Sequence, residues 1–165
     1  MMVFLTVSMS AQKFAGLDKS PLDVALYKVG RNDKPIMKIY YSRPSLNNRT
    51  LDKLAPAGQV WRLGANEATE LVVNQDLMLA GSKIVKGSYT LFAIPGEKTW
   101  TIIVNSDTDG WGAYAYDIAK DVVRFEAEVS NLPESLEALS IDANAAKNAI
   151  FIGWGTTLVT IPVKL

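Results

Sequence analysis

Apolar and polar residues alternate along much of this 165-residue sequence, and turn-forming residues interrupt the alternation at short intervals. In VVRFEAEV the apolar residues from Val123 to Val129 share one face, and Arg124 shares the other face with the glutamates. A period of two places successive side chains on opposite faces of an extended strand. The segments GSYTLFAIPG and TWTIIVNS are apolar on both faces, which predicts central strands that are covered on both sides.

Short strands separated by turns are typical of an antiparallel sandwich. We therefore predict an all-β fold, an antiparallel two-sheet β-sandwich (jelly-roll-like) with about 8–9 strands and at most short helical turns. In LMLAGSKIV, the pair Gly81-Ser82 predicts a hairpin with a type II′ turn. Helical turns are predicted in TLDKLAPAG, in DIAKDVV and in LPESLEAL, where Pro133 suits a first helical position.

The length predicts one domain, over residues 12–165, because domains typically contain roughly 100–200 residues. The start, MMVFLTVSMSAQ, is a short apolar run followed by small residues, which indicates a signal-peptide remnant over residues 1–11. A basic region is missing, so we expect this leader to be cropped or mis-assigned. The alternative is a native first strand, MVFLTVSM. The leader predicts an exported protein, periplasmic or secreted, and the run is too short for a transmembrane segment, which needs about 20 apolar residues.

Two absences in the composition restrict the chemistry. The sequence contains no histidine and no cysteine, so catalytic triads, thiol nucleophiles, haem ligation and ordinary zinc or copper sites are excluded. We expect no metal and no cofactor, and these absences weigh against an enzyme. Basic and acidic residues number 17 each, so no bulk positive field would attract nucleic acid, and we expect no nucleic-acid partner.

Charged side chains concentrate in the middle of the sequence. Strand alternation in PIMKIYYSRP places Arg43 on the same face as the apolar Met37 and Ile39, where a guanidinium needs a carboxylate or several carbonyls. Two more arginines and two glutamates follow, and a bidentate arginine–carboxylate network is the structural interpretation. The members of that network would be Arg43, Arg49, Arg62, Glu67 and Glu70.

The stretch WRLGANEATE, residues 61–70, allows two functional interpretations as well. One is a polar cleft for an anionic or sugar-like ligand, with Trp61 as a stacking platform and Asn66 in a tight turn. The other is an acid/base pair formed by Glu67 and Glu70. Residues three apart in a strand point to opposite faces, so this pair converges only if the turn is tight. The network, the cleft and the pair remain open alternatives.

The segment NSDTDGWGAYAYD is a second candidate. Trp111 and Tyr114 lie in a glycine-rich loop, which is typical of a ligand-facing surface, and core packing under a long loop explains them equally well. Asp107 and Asp109 resemble a fragment of a calcium loop, but the later ligands are missing, so we interpret this part as a solvated turn.

Several blocks of the sequence carry a resemblance to a known family. LDKSPLDVALY, IYYSRP, VWRLGANEATEL, KGSYTLFAIPG, WTIIVNSDTDGWGAYAYD and WGTTLVTIPV occur in this order. The chain thereby resembles the bacterial domain-of-unknown-function family 2911, whose members are abundant in Bacteroidota and usually exported. The resemblance implies export and one compact domain. It supplies no reaction, substrate or catalytic residue.

We therefore predict an exported β-sandwich that acts as a binding or interaction module in the bacterial envelope, with a small polar, glycan or anionic ligand. One alternative is a carboxylate-dependent hydrolase that uses Glu67 and Glu70. Another is a structural component of the envelope, which an exposed apolar patch would mark. The sequence leaves the oligomeric state open.

Overall fold

The computed structural model describes residues 11–165, and in this range the chain is almost entirely β-structure, as predicted. One four-residue α-helix and two short 3-10 turns interrupt the strands. The elements are β1 (Leu22–Tyr27), β2 (Met37–Ser42), α1 (Leu51–Leu54), β3 (Thr69–Val73), β4 (Leu77–Leu79), β5 (Ser82–Ile84), β6 (Gly87–Ile94), β7 (Thr99–Asn105), β8 (Asp121–Asn144) and β9 (Ala149–Lys164).

Hydrogen-bonded neighbours form a single nine-stranded antiparallel sheet with the order β1-β2-β3-β6-β7-β8-β9-β4-β5. The strand count agrees with the prediction, whereas the expected division into two sheets is not confirmed. The reason is the length of β8 and β9, which contain 24 and 16 residues and pair with each other along most of that length. A β-sandwich would use separate short strands in its two sheets. Here one long strand pair connects the strands on both sides of it into one sheet.

The sheet closes on itself through the distal half of β8. The register of β8 against β9 shifts on both sides of Leu136, and irregularities of this kind bend a strand. Beyond the bend, β8 meets the segment that follows β2: the Leu46 amide donates to the Glu137 carbonyl (2.9 Å), and the Leu139 amide donates to the Pro44 carbonyl (3.0 Å). The inner face of the curved sheet is thereby enclosed.

The enclosed face holds the hydrophobic core. Three tryptophans meet there: Trp61 stacks on Trp154 with ring centroids 5.6 Å apart and contacts Trp100 edge-on at 5.9 Å. Burial of aromatic rings in such arrangements contributes strongly to core stability. The core also contains the inward-facing residues of the strands, among them Met37, Ile39, Leu71, Ile102, Ile141, Ile152 and Val159.

The outer face of the sheet is covered in its central part. Phe92 and Ile103, paired across β6 and β7, point outward and are buried. The segment that we call the 106–117 loop lies over them, because Tyr116 contacts Phe92 edge-on with ring centroids 5.1 Å apart. The prediction that these central strands are covered on both sides is therefore confirmed.

Three local predictions have different outcomes. The helical turns in TLDKLAPAG and DIAKDVV are present, as α1 and a 3-10 turn at Ile118–Lys120. The helical turn in LPESLEAL is wrong, because this segment belongs to β8 and pairs with β9 at Leu136. The hairpin at Gly81 is present, but its central residues are Ala80 and Gly81, both with positive φ, so the turn is of type I′ rather than II′.

The leader prediction for residues 1–11, and the alternative strand MVFLTVSM, concern a segment that lies, apart from Ala11, outside the described residues. Within residues 11–165, none of the helices has the length and apolar character needed to cross a bilayer.

The closure of the sheet makes a stability prediction. The Ile141 amide, on the buried edge of β8, donates to the Tyr41 hydroxyl at 2.9 Å. Burial raises the pKa of Tyr41, so the phenol remains neutral in this position. We expect Tyr41→Phe to leave that amide without a partner and to lower the free energy of unfolding by about 1–3 kcal/mol, measured by urea denaturation.

The matched control is Tyr40→Phe, one residue earlier on the opposite face of β2, which we expect to change the free energy of unfolding by less than about 0.5 kcal/mol. Equal effects of the two substitutions would contradict the role assigned to the Tyr41 hydroxyl.

Candidate functional site

An open cleft of about 700 Å³ lies on the outer face of the sheet, beside the area that the 106–117 loop covers. Its floor is formed by outward-facing residues of β1, β2 and β3, namely Leu22, Tyr40 and Glu70; Tyr40 lies opposite Glu70 in the strand register. Three other segments form its walls: residues 18–20 before β1, residues 66–68 before β3, and residues 109–111 of the loop.

The wall before β3 has an unusual backbone. Leu63 and Asn66 both have left-handed conformations, with φ of 54° and 58°. The fully buried Leu63 is a bulky residue in a region that such residues rarely occupy. The Thr69 hydroxyl donates to the Leu63 carbonyl at 2.8 Å, and Gly64 lies so close to β2 that an added Cβ would be 3.1 Å from the Ser42 carbonyl oxygen. Packing therefore imposes this turn.

A short main-chain bridge joins this wall to the 106–117 loop. Glu67 and Trp111 are antiparallel partners, the Ala68 amide donates to the Gly110 carbonyl (2.9 Å), and the Gly112 amide donates to the Asn66 carbonyl (3.1 Å). The bridge holds Trp111 at the rim of the cleft with 58% of its surface exposed. The backbone that carries this exposed indole is therefore fixed by its hydrogen bonds.

The far end of the loop is anchored by the carboxylate of Asp121. It accepts hydrogen bonds from the Tyr116 hydroxyl (2.7 Å), the Arg124 guanidinium (2.6 Å) and the Asn105 amide group (2.8 Å). Burial opposes ionisation of this carboxyl, but the three donors together outweigh that effect and hold the pKa of Asp121 below its ordinary value. Arg124 also donates to the Tyr116 hydroxyl.

The cleft is acidic. Four of its lining residues carry carboxylates, and within the described residues none of the lining side chains is a lysine or an arginine. Asp18 accepts hydrogen bonds from the Ser20 amide (2.7 Å) and the Asn66 side-chain amide (3.1 Å), and these donors lower its pKa. The four acidic residues are Asp18, Glu67, Glu70 and Asp109.

The structure places Trp61 in the core, with 7% of its surface exposed, so its predicted role as a stacking platform is wrong. Its backbone forms a bridge with Ala93, with both N···O distances below 2.9 Å, and its ring lies among the other core tryptophans. The sequence around Trp61 is compatible with a buried or an exposed ring, because its neighbours are polar. The closure of the sheet places the ring in the core.

The predicted arginine–glutamate network is also wrong, because within residues 11–165 the ion pairs include neither Glu67 nor Glu70. Arg43 pairs instead with Asp23 at 3.1 Å and donates to the Leu139 carbonyl, as its position on the inner face required. Arg49 and Arg62 each donate to main-chain carbonyls of their own turns: Arg49 to those of Ser45 and Leu46, and Arg62 to that of Asn66.

Four of the predicted residues do meet at the cleft: Asn66, Glu67, Glu70 and Trp111. Tyr114 is 85% exposed in the same loop but is not among the lining residues. Within the described part of the chain, no three acidic side chains are close enough together to hold a metal ion.

Sequence reasoning found Glu70 but missed the rest of the floor and one wall of the cleft, formed by Asp18, Ser20, Leu22 and Tyr40. The alternation already assigned Tyr40 to the face opposite Met37 and Ile39. Alternation does not predict that β1 pairs with β2 and β2 with β3. These pairings bring residues 18–22 and 70 beside Tyr40.

The hydrogen bonds of Asp121, which anchor the loop, predict that its contribution to stability depends on pH. We expect Asp121→Asn to remove the ion pair with Arg124 and to destabilise the protein at pH 7 by about 1–3 kcal/mol. Because the pKa of Asp121 is lowered in the folded state, its contribution is present above the ordinary aspartate pKa and is lost as the pH falls through the folded-state pKa.

The difference between the two proteins in free energy of unfolding, measured by urea denaturation from pH 7 downward, should therefore shrink in acid. Asp142→Asn, on an exposed part of β8, is the control and should show no such convergence. A difference between wild type and Asp121→Asn that is constant with pH would contradict the anchoring role.

Comparison with known proteins identifies the family and nothing more specific. The family model described as "Protein of unknown function (DUF2911)" matches residues 20–163, and the chain belongs to this family. No curated protein and no solved structure matches the chain.

Proposed function

We propose that this member of a family of unknown function is a binding protein that holds a small, glycan-like ligand in the cleft on the outer face of β1, β2 and β3. The observation that carries the proposal is the cleft itself. Its volume of about 700 Å³ lies within the roughly 300–1,000 Å³ that ligand sites usually have. Main-chain hydrogen bonds join two of its walls, at residues 66–68 and 109–111, and a hydrogen bond between the side chains of Asn66 and Asp18 connects the third.

The lining suits a sugar-like ligand. Trp111 offers an exposed ring face for the apolar side of a sugar ring, and Tyr40 adds a second aromatic surface on the floor. Carboxylates and the hydroxyl of Ser20 are acceptors for sugar hydroxyl groups. A few directional polar groups around aromatic surfaces are the usual composition of a small-molecule site.

An anionic ligand, the other class that the sequence suggested, fits this cleft poorly. Four carboxylates line it, whereas the three arginines on which that expectation rested are not among the lining residues and are bonded to Asp23 or to main-chain carbonyls. Like charges brought together in a partly closed site repel each other, so bound anions would be destabilised. We therefore retain the glycan-like ligand and discard the anionic one.

The cellular location is also a proposal. It rests on the apolar start of the sequence, which is typical of an export leader, and we propose that the protein works in the bacterial envelope, in the periplasm or secreted.

Substitution of the exposed tryptophan tests the binding proposal. Affinities for the neutral β-1,4-linked trisaccharide cellotriose and its aminated analogue chitotriose are measured by isothermal titration calorimetry. Trp111→Ala should weaken binding about 10-fold or more, because the stacking surface is lost, and should change the free energy of unfolding by no more than about 1 kcal/mol.

Two aromatic residues serve as controls. Tyr114→Ala, in the same loop but outside the cleft, should leave affinity unchanged. Trp61→Ala should destabilise the protein by about 3–5 kcal/mol, as large-to-small substitutions in cores do. Equal losses of affinity from Trp111→Ala and Tyr114→Ala would contradict a site at the cleft.

A second candidate function is hydrolysis of a glycan by Glu67 and Glu70. Both side chains line the same open cleft, although their spacing in sequence alone argued against convergence. Two carboxyl groups that flank a glycosidic bond are the usual machinery for this reaction. Release of reducing ends from cellotriose or chitotriose measures it directly.

In that case Glu67→Gln and Glu70→Gln should each lower the rate by at least about 100-fold, since each carboxyl would act as an acid, base or nucleophile. Glu97→Gln, on the exposed β6–β7 hairpin, is the control. Absence of product from the wild-type protein at any pH between 4 and 9 would reject hydrolysis of these glycans and leave binding as the function.

A further inference from the structure

The charge of the cleft constrains the ligand beyond its size and shape. Asp18, Asp109 and the pair Glu67 and Glu70 come from three separate parts of the chain and line one cleft. The chain as a whole has no net charge, with 17 basic and 17 acidic residues, so the negative potential of the cleft is a local feature. A concave site lined by one sign of charge concentrates ligands of the opposite sign.

These carboxylates are not consumed by ion pairs within the protein. In residues 11–165 the ion-paired acidic residues are Asp23, Asp76, Asp107 and Asp121, and none of these lines the cleft. The charges in the cleft are therefore available to a ligand. Asp18 is further held in its ionised form by the amides of Ser20 and Asn66.

The aromatic surfaces add to the attraction for a cation. Trp111 exposes its ring at the rim, and Tyr40 lies on the floor directly opposite Glu70 in the strand register. The faces of aromatic rings attract ammonium groups, and tryptophan does so most strongly. A carboxylate beside an aromatic ring therefore suits an alkylammonium group better than a neutral hydroxyl.

A bare metal ion is a poor match for this arrangement. Cations such as Ca²⁺ require six to eight oxygen ligands around one point. In the described residues no three carboxylates converge in this way, so the negative charges are distributed over the cleft. A ligand that carries several separate positive charges could pair with these carboxylates.

We infer that the ligand of this cleft is a cationic organic molecule, an amine-bearing glycan in which protonated amino groups face the carboxylates. This inference rests on the proposed binding function and specifies its ligand class. The sugar rings would contact Trp111 and Tyr40, while the ammonium groups would pair with Glu70, Glu67 and the other carboxylates of the cleft.

The test compares three trisaccharides by titration calorimetry with the full chain, at a pH where the amines are protonated. Chitotriose, the deacetylated glucosamine trimer, carries an ammonium group where cellotriose carries a hydroxyl, and trigalacturonate carries carboxylates. We expect chitotriose to bind on the order of 10-fold more tightly than cellotriose and trigalacturonate to bind most weakly. Raising the salt concentration should reduce the differences in affinity among the three sugars, because salt screens exposed charges.

Variants connect the preference to the cleft. Glu70→Gln should reduce the ratio of chitotriose to cellotriose affinity about 3- to 5-fold, the amount that an exposed ion pair contributes. Asp18→Asn keeps the acceptor oxygen for Ser20 and should reduce the ratio further in combination with Glu70→Gln. Glu97→Gln removes a distant exposed carboxylate and should leave the ratio unchanged.

Three results would overturn the inference. Equal affinity for cellotriose and chitotriose would reject the cationic ligand while leaving the glycan-binding proposal standing. No binding of any of the three sugars at millimolar concentration, by protein that circular dichroism shows to be folded, would reject both. A preference for chitotriose that is undiminished in the double variant would place the amine outside the cleft and would also reject the inference.

Discussion

One constraint governs this structure: a single antiparallel sheet must bury its own apolar face, because residues 11–165 contain only one four-residue α-helix to cover it. The long strand β8 meets that requirement by bending and returning to the segment after β2. The core tryptophans then pack against one another from three different parts of the chain. Burial of this face supplies the main driving force for folding.

The location of the cleft follows from that closure. The inner face is filled by the hydrophobic core, so the cleft lies on the outer face, where the 106–117 loop occupies the part over β6 and β7. The open part is the adjoining surface of β1, β2 and β3, with Tyr40 and Glu70 on the floor. The 106–117 loop both covers β6 and β7 and forms one wall of the cleft. The main-chain bridge between Glu67 and Trp111 holds it in this position.

Periodicity predicted the strands well because the side-chain alternation of a strand is a local property. It identified the doubly covered strands and the half-exposed segment around Phe125. It did not predict which strands are paired, so the single closed sheet was missed. LPESLEAL shows the same limit: Pro133 is compatible with a helix start, but pairing with β9 outweighs that local preference.

The negative charge of the cleft could not be predicted from the sequence either, because it also depends on which strands are paired. The arginines are close together in sequence and suggested an anionic ligand or a network with the glutamates, yet each donates to nearby carbonyls or to Asp23. The carboxylates belong to segments up to 91 residues apart, from Asp18 to Asp109, and only strand pairing and the loop bridge bring them together. Within residues 11–165 none of these carboxylates has an ion-pair partner. In this protein the residues that define the site are therefore those that the closed sheet assembles.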